Sequence, residues 1–132
     1  MIDRTIFPAP TRGLDLKQTL GLPQSMVVRS GDLLFLSGVL AVHPGTGERM
    51  HGTLTSETHQ CLQNLSMILG RAGSSLEKVV RVHAMMYSRI EYDVFNSVYR
   101  QYFTPAQAPA RTVWSVGILY GLKVQLDVIA TV

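Results

Sequence analysis

The sequence predicts an α/β (α+β) protein in which a single mixed β-sheet carries two helices packed on one face. Two segments with apolar residues three and four positions apart lie between segments whose apolar residues alternate or run together, as in strands. The order along the chain is strands, helix, strand, helix and two strands, which favours one sheet with both helices on one side. The other face then needs a cover, so self-association is expected.

Composition favours one globular domain over residues 1–132 and argues against several functions. Hydrophobic residues make up 46% of the chain and charged residues 16%, a balance unlike that of a disordered protein. The net charge is +3, but the Lys and Arg residues are scattered singly, so nucleic-acid binding is not expected. No apolar run approaches the ~20 residues that span a bilayer, and the start lacks a secretory signal pattern. With Cys61 as the single cysteine, a cytoplasmic protein without a membrane partner is predicted.

Strand and turn signals dominate the first fifty residues. Proline and glycine interrupt the early apolar segments, and Ser30-Gly31-Asp32 reads as a hairpin turn. The predicted elements are a strand over residues 4–7, a loop over 9–24, a hairpin formed by 25–29 and 33–37, and a turn-rich connection over 43–52.

The clearest helical pattern lies between residues 55 and 73. Thr55 or Ser56 is predicted to cap this first helix, and Gly73 to end it. Its apolar stripe, which is expected to pack on the sheet, consists of Cys61, Leu62, Leu65, Ile68, Leu69 and Ala72.

A buried strand over residues 79–87 and a second helix are predicted next. The strand segment is rich in β-branched and apolar residues. Ser88 and Glu91 match a capping box that would open the helix, and Pro105 ends it. The buried stripe of this helix is predicted to be Val94, Phe95, Val98, Tyr99 and Tyr102.

Two final strands, over residues 110–119 and 122–132, are predicted to be joined by a tight Tyr120-Gly121 turn. Their apolar faces would consist of Thr112, Trp114, Val116 and Ile118 in the first, and of Leu122, Val124, Leu126, Val128 and Ala130 in the second. Arg111 and Gln125 then fall on the more polar faces of two strands expected to be neighbours. A guanidinium beside an amide suits a carboxylate ligand, because its donors bind two oxygens at once.

Neither a metal site nor a nucleophile is predicted. The four histidines, His43, His51, His59 and His83, share no ligand spacing, and His83 on its apolar strand favours a structural role. Cys61 belongs to the helix stripe, and Ser37 does not lie in a nucleophile elbow. The remaining candidates are Arg111, Asn96 and Ser37-Gly38, although an arginine at a strand start also serves surface ion pairs.

Several segments match, in order, those of one known family. They are GDLLFLSG (residues 31–38), PGTGE (44–48), QCLQNL (60–65), AGSSLEKVV (72–80), FNSVY (95–99) and PAR (109–111). Through them the chain resembles, over nearly its whole length, the RidA/YjgF family of reactive-intermediate deaminases, formerly called L-PSP endoribonucleases.

The resemblance implies a fold, an assembly and a reaction. The chorismate-mutase-like YjgF fold is a mixed sheet backed by two helices, assembled as a homotrimer with ligand clefts between subunits. In the deaminases an arginine matching Arg111 clamps the carboxylate of an enamine or imine, and groups matching Ser37, Gly38 and Asn96 line the cleft. Water then releases ammonia and a 2-oxo acid, without metal or organic cofactor.

The chain departs from the family pattern in its cleft. The glutamate that activates water in the deaminases aligns with Gln125, and a cleft tyrosine aligns near Gln24. An amide binds water but does not accept its proton, and losing such help typically costs about 10²–10⁴-fold in rate. A cleft cysteine of some relatives corresponds to Val113.

Four functions remain open after these comparisons of residues. The first is an enamine/imine deaminase in which Arg111 is the clamp and Gln125 positions water. The second is a related reaction on another acidic metabolite, and the third is a non-enzymatic trimer that binds small carboxylates or a protein. The fourth, an endoribonuclease, is disfavoured by the scattered basic residues.

Overall fold

The structure is a computed structural model that describes residues 3–132. Its strands are β1 (Thr5–Phe7), β2 (Val27–Ser30), β3 (Leu33–Leu36), β4 (Val39–Leu40), β5 (Val79–Met86), β6 (Ala110–Ser115) and β7 (Val124–Thr131). Its α-helices are α1 (Leu16–Leu20), α2 (Leu54–Arg71) and α3 (Tyr92–Tyr99). None of the helices in this part of the chain is long and apolar enough to cross a membrane.

One mixed sheet contains the seven strands in the order β1-β2-β3-β7-β5-β6, with β4 also paired to β7. β5 and β6 run parallel, and the other pairs are antiparallel. The crossover between the parallel strands contains α3, as parallel neighbours require. The predicted single mixed sheet with two main helices is confirmed.

The core lies between one face of the sheet and the two main helices. All six residues of the predicted stripe of α2 are buried, and so is the predicted apolar face of the last strand. In α3, Phe95, Val98 and Tyr99 are buried, but Val94 is 40% exposed and does not belong to the stripe. Cys61 is fully buried, and burial raises the pKa of its thiol, in agreement with a packing role.

Both main helices begin differently from the prediction. Thr53, rather than Thr55 or Ser56, caps α2, because its hydroxyl accepts a hydrogen bond from the Ser56 N–H at 3.1 Å. Ser88 caps a 3₁₀ turn, Arg89–Glu91, ahead of α3. The carboxylate of Glu91 accepts from the Tyr87 hydroxyl at 2.9 Å, so the predicted capping box does not form.

The N-terminal predictions are largely confirmed. β1 matches the short strand, and β2 and β3 form the predicted hairpin, with Gly31 in its turn at a φ of 60°. The segment 9–24 is not all loop, because it contains α1. Asp15 caps this short helix by accepting from the Gln18 N–H at 3.0 Å.

The predicted C-terminal hairpin is wrong. β6 ends at Ser115, a 3₁₀ turn follows at Leu119–Gly121, and β5 lies between β6 and β7. The alternation of buried and half-buried residues in β7 suits a central strand, and it pairs with β3, β4 and β5. β6 occupies the sheet edge, where Trp114 is 55% exposed rather than buried as predicted.

Candidate functional site

Arg111 lies on the helix side of the sheet, at its edge. It pairs in register with the fully buried Val82 of β5, so both side chains belong to the same face. Its Nη2 donates to the Tyr92 hydroxyl at 3.0 Å, and its Cζ lies 4.8 Å from the centroid of the Tyr99 ring. No carboxylate of residues 3–132 forms a salt bridge with Arg111, so the guanidinium is not committed to a surface ion pair.

Two surface depressions meet at Arg111. One, of about 430 Å³, is lined by Met86, Arg89, Tyr92, Arg111, Val113 and Ser115. The other, of about 220 Å³, has Arg111 in its wall together with Asn96, Tyr99 and residues of the 103–109 loop. The structure therefore brings together three of the predicted site residues, Arg111, Asn96 and Val113, which we call the arginine half-site.

Two polar atoms without partners belong to residues that line the second depression together with Arg111. The Oδ1 of Asn96 and the hydroxyl of Tyr99 are buried and have no hydrogen-bond partner within residues 3–132. Burial raises the pKa of Tyr99 to about 12, although the nearby Arg111 acts in the opposite direction. Tyr99 is thus a neutral phenol near pH 7, and the amide oxygen of Asn96 is a buried acceptor that lacks a donor within residues 3–132.

Gln125 is the centre of a second group of residues. Its Nε2 donates to Asp127 Oδ1 at 3.2 Å, which leaves the amide oxygen free to accept a hydrogen bond from water. A Cβ on Gly38 would lie 2.5 Å from Gln125 Nε2 and 3.2 Å from Asp127 Oδ1. Glycine at the break between β3 and β4 therefore leaves the room that the Gln125 side chain occupies.

Ser37 supports this group through its hydrogen bonds. Its hydroxyl donates to the Ser25 carbonyl at 2.6 Å, and its N–H donates to the Met26 carbonyl at 2.9 Å. The Ser37 side chain thus fixes the chain that precedes β2. We call Gln125, Gly38 and Ser37 the glutamine half-site; Gln24 lines a separate depression beside β1.

The two half-sites lie on opposite faces of the sheet. In β5, Val82 pairs with Arg111 and Val128, whereas Met85 pairs with Gln125 and Trp114. Positions an odd number of residues apart in a strand point to opposite faces, so Arg111 and Gln125 project in opposite directions. The expectation that they share a face of neighbouring strands is wrong, because β5 separates the strands and the register places Gln125 away from the helices.

The face that carries Gln125, which we call the open face, presents several large apolar residues to solvent. Its exposed large residues are Ile6 (48%), Leu33 (38%), Phe35 (43%) and Trp114 (55%). His83 lies on the same face, with its ring 4.5 Å from that of Trp114 in an edge-to-face arrangement. The Nε2 of His83 is buried and has no partner among the residues described.

Sequence reasoning missed Tyr92, Arg89 and Asp127. Asp127 had a signal, since it is two residues from Gln125 and therefore on its face of the strand. No sequence pattern indicated Tyr92 or Arg89, because their position in the depression with Arg111 depends on how α3 packs. No cluster of three or more His, Cys, Asp or Glu side chains within residues 3–132 is arranged to hold a metal ion.

Comparison with known proteins identifies the family. Residues 21–132 match the sequence model described as Endoribonuclease L-PSP. The chain belongs to this family, the RidA/YjgF family. It is 34% identical over 110 residues to the Reactive Intermediate Deaminase A, chloroplastic, of Arabidopsis thaliana, a match that covers 83% of this chain and 58% of the plant protein.

Other family members agree with this assignment. The 2-iminobutanoate/2-iminopropanoate deaminase of Mus musculus is 29% identical over 109 residues, which cover 82% of this chain and 80% of the mouse protein. The crystal structure of RidA from an Antarctic Psychrobacter superposes with a TM-score of 0.78 at 26% identity, covering 84% of this chain and 89% of that chain. The RidA/YjgF fold predicted from the sequence segments is confirmed.

Proposed function

We propose that this family member hydrolyses small enamine and imine carboxylates to 2-oxo acids and ammonia, in clefts between the subunits of a homotrimer. The observation that carries the proposal is Arg111, a guanidinium without a carboxylate partner that lines one depression with Asn96, whose Oδ1 is also unpartnered within residues 3–132. Two relatives named as deaminases of reactive or imino compounds support the same reaction.

A second copy completes the site in this proposal. Arg111 and Gln125 project from opposite faces of one sheet, so a ligand that touches both needs the arginine half-site of one subunit and the glutamine half-site of another. The apolar open face supports such an assembly, because exposed apolar patches of this kind mark contacts between proteins. Each subunit would then contribute to two clefts.

The reaction needs binding, orientation and one water molecule. Arg111 binds the two carboxylate oxygens, while the Tyr92 hydroxyl holds Nη2 in place. An enamine first tautomerises to the imine, and the oxygen of water then adds to the imine carbon. The C–N bond breaks, and both protons of the water leave with the nitrogen as ammonia. No metal or organic cofactor takes part in this proposal.

Gln125 positions the water but does not activate it as a base. Its free amide oxygen accepts a hydrogen bond from the water, and Asp127 fixes the orientation of the amide. Because an amide does not take up the proton, we expect a rate about 10²–10⁴-fold below that of a site with a general base. Hydrolysis of a reactive imine tolerates such a loss.

Gln125 also favours a second candidate function. A carboxylate-binding trimer without classical deaminase activity, or one acting on another acidic metabolite, would keep Arg111 and not need a base. The endoribonuclease reading has less support, because the Lys and Arg residues are dispersed along the chain. A single domain in the cytoplasm, with its thiol at Cys61 reduced, suits either candidate.

Ammonia release from 2-iminobutanoate, generated in situ by a threonine dehydratase, tests the proposal. We expect the wild type to accelerate it, Arg111→Ala to abolish the acceleration, and Gln125→Glu to increase it. Matched controls are Arg71→Ala and Gln63→Glu, because both residues are exposed on α2. Ammonia release accelerated only by Gln125→Glu would favour the second candidate. If neither the wild type nor any variant accelerates ammonia release, the deaminase proposal is contradicted.

A further inference from the structure

We propose that Arg89 binds a second carboxylate of the substrate, so that the arginine half-site selects imines of dicarboxylic acids. This inference rests on the proposed function, because it assigns the first carboxylate to Arg111. It concerns the depression lined by Met86, Arg89, Tyr92, Arg111, Val113 and Ser115.

Among the residues described, two arginines and no acidic residue line this depression. Neither Arg89 nor Arg111 forms a salt bridge with a residue of the described part of the chain. The acidic residue of the same 3₁₀ turn, Glu91, accepts from the Tyr87 hydroxyl at 2.9 Å and does not line the depression. Two like charges around one concave surface attract a dianion more strongly than a monoanion.

The order of residues along β6 indicates the direction in which the depression extends. Arg111, Val113 and Ser115 share one face of this strand, and successive same-face residues are about 6.6 Å apart. Ser115 pairs with Met86 at the end of β5, and Arg89 follows in the turn Arg89–Glu91. From this order we place Arg111 at one end of the depression and Arg89, which follows the end of β5, at the other, as an elongated ligand with a charge at each end requires.

The side chains between the two arginines fit the middle of such a ligand. Val113 is apolar and suits the methylene carbons of a dicarboxylate, which a polar side chain at this position would contact less well. Arg111 is held by the Tyr92 hydroxyl, whereas Arg89 is exposed and free to adjust to the second carboxylate. The first carboxylate is thus bound by a fixed group and the second by an adjustable one.

The test compares two imines that differ in one carboxylate. Iminosuccinate is generated from D-aspartate by D-aspartate oxidase, and 2-iminopropanoate from D-alanine by D-amino-acid oxidase. We expect the wild-type kcat/KM to be higher for iminosuccinate by about 10- to 100-fold, the range of one charge-assisted hydrogen bond. Arg89→Gln is expected to bring the ratio of the two values close to one. Arg71→Gln, at an exposed arginine of α2, is the matched control and should keep the ratio.

Binding of stable 2-oxo acids separates this inference from the deaminase proposal. We expect the wild type to bind 2-oxoglutarate more tightly than 2-oxobutanoate, and Arg89→Gln to lose the difference. If neither imine is hydrolysed but this selectivity is found, the deaminase proposal fails and the role of Arg89 stands. Two results would overturn the role of Arg89. One is a wild type that binds the two acids with equal affinity, and the other is an Arg89→Gln variant whose affinity falls by the same factor for both acids.

Discussion

At the scale of the residue, Arg111 has the surroundings of a ligand-binding guanidinium. Tyr99 lies beneath it and the Tyr92 hydroxyl accepts from Nη2, so aromatic groups rather than a carboxylate contact it. Its charge therefore remains available to an anion. The sequence predicted Arg111 itself from its motif and its place in a strand. It did not reveal Tyr92, because the contact depends on the packing of α3 beside β6.

Tyr99 makes the free energy of unfolding depend on pH in the alkaline range. Its pKa is raised to about 12 in the folded protein, against about 10 for an ordinary tyrosine. The folded protein therefore holds the phenol proton more tightly, and this contribution to stability is complete below pH 10 and is lost as the pH rises to 12. Between pH 9 and 12 we expect the free energy of unfolding of the wild type to fall by about 2–3 kcal/mol more than that of Tyr99→Phe.

Urea unfolding of both proteins across this range checks the prediction. The comparison cancels the titration of other tyrosines and lysines, because both proteins contain them. A constant difference in unfolding free energy between wild type and Tyr99→Phe from pH 9 to 12 would contradict the assigned cause.

At the scale of the element, the long helix and the central strands were predictable and the strand order was not. The stripe of α2 repeats every three or four residues, and this pattern alone fixes the face that is buried. The last two strands follow each other with a Tyr-Gly turn, which also suits a hairpin. Their separation by β5 results from long-range pairing, because β7 pairs with three strands while β6 joins β5 in parallel after the α3 crossover. The residues near each strand in the sequence do not predict such long-range pairing.

Buried polar side chains connect these elements. The carboxylate of Glu57, fully buried in the first turns of α2, accepts from the Lys123 N–H at 2.7 Å and from the Gly52 N–H at 3.2 Å. It also lies 3.6 Å from Lys123 Nζ. This group joins the start of the helix to the start of β7. The Asn64 amide similarly donates to the carbonyls of Leu40 and Val42.

Removal of the Glu57 carboxylate is expected to destabilise the protein strongly. Glu57→Ala leaves two backbone N–H groups without acceptors, and we expect a loss of about 3–5 kcal/mol in the free energy of unfolding. Glu48→Ala is the matched control, because Glu48 is exposed and its loss should change stability by less than about 0.5 kcal/mol. Chemical denaturation of the three proteins measures both values, and an effect of Glu57→Ala as small as that of the control would contradict this role.

At the scale of the whole molecule, one sheet separates two half-sites. The sequence predicted most members of both half-sites, and the resemblance implied clefts between subunits. The sequence did not indicate the face of the sheet on which each residue lies, because that face depends on the register of β5 with both of its neighbours. With that register, Arg111 and Gln125 of one subunit point to opposite faces, and the proposed assembly brings these residues from different subunits to one ligand.

The open face is expected to control assembly. We expect the wild type to have a mass of about three times the 14.6 kDa of the chain, and Phe35→Lys to lower it, since a charge on this face would be buried at the contact. Met67→Lys is the matched control, because Met67 is similarly exposed (38%) but lies on α2. Light scattering after size-exclusion chromatography measures the masses, and a wild type that remains monomeric at high concentration would contradict the proposal.

Complementation between subunits tests the shared site most directly. Arg111→Ala and Gln125→Ala are refolded together, and ammonia release from 2-iminobutanoate is compared with that of each variant alone. If each site takes Arg111 from one subunit and Gln125 from another, about one quarter of all sites in a random equimolar mixture of the two variants regain both residues, and activity rises accordingly. A mixture no more active than its two components would contradict the account of a site divided between subunits.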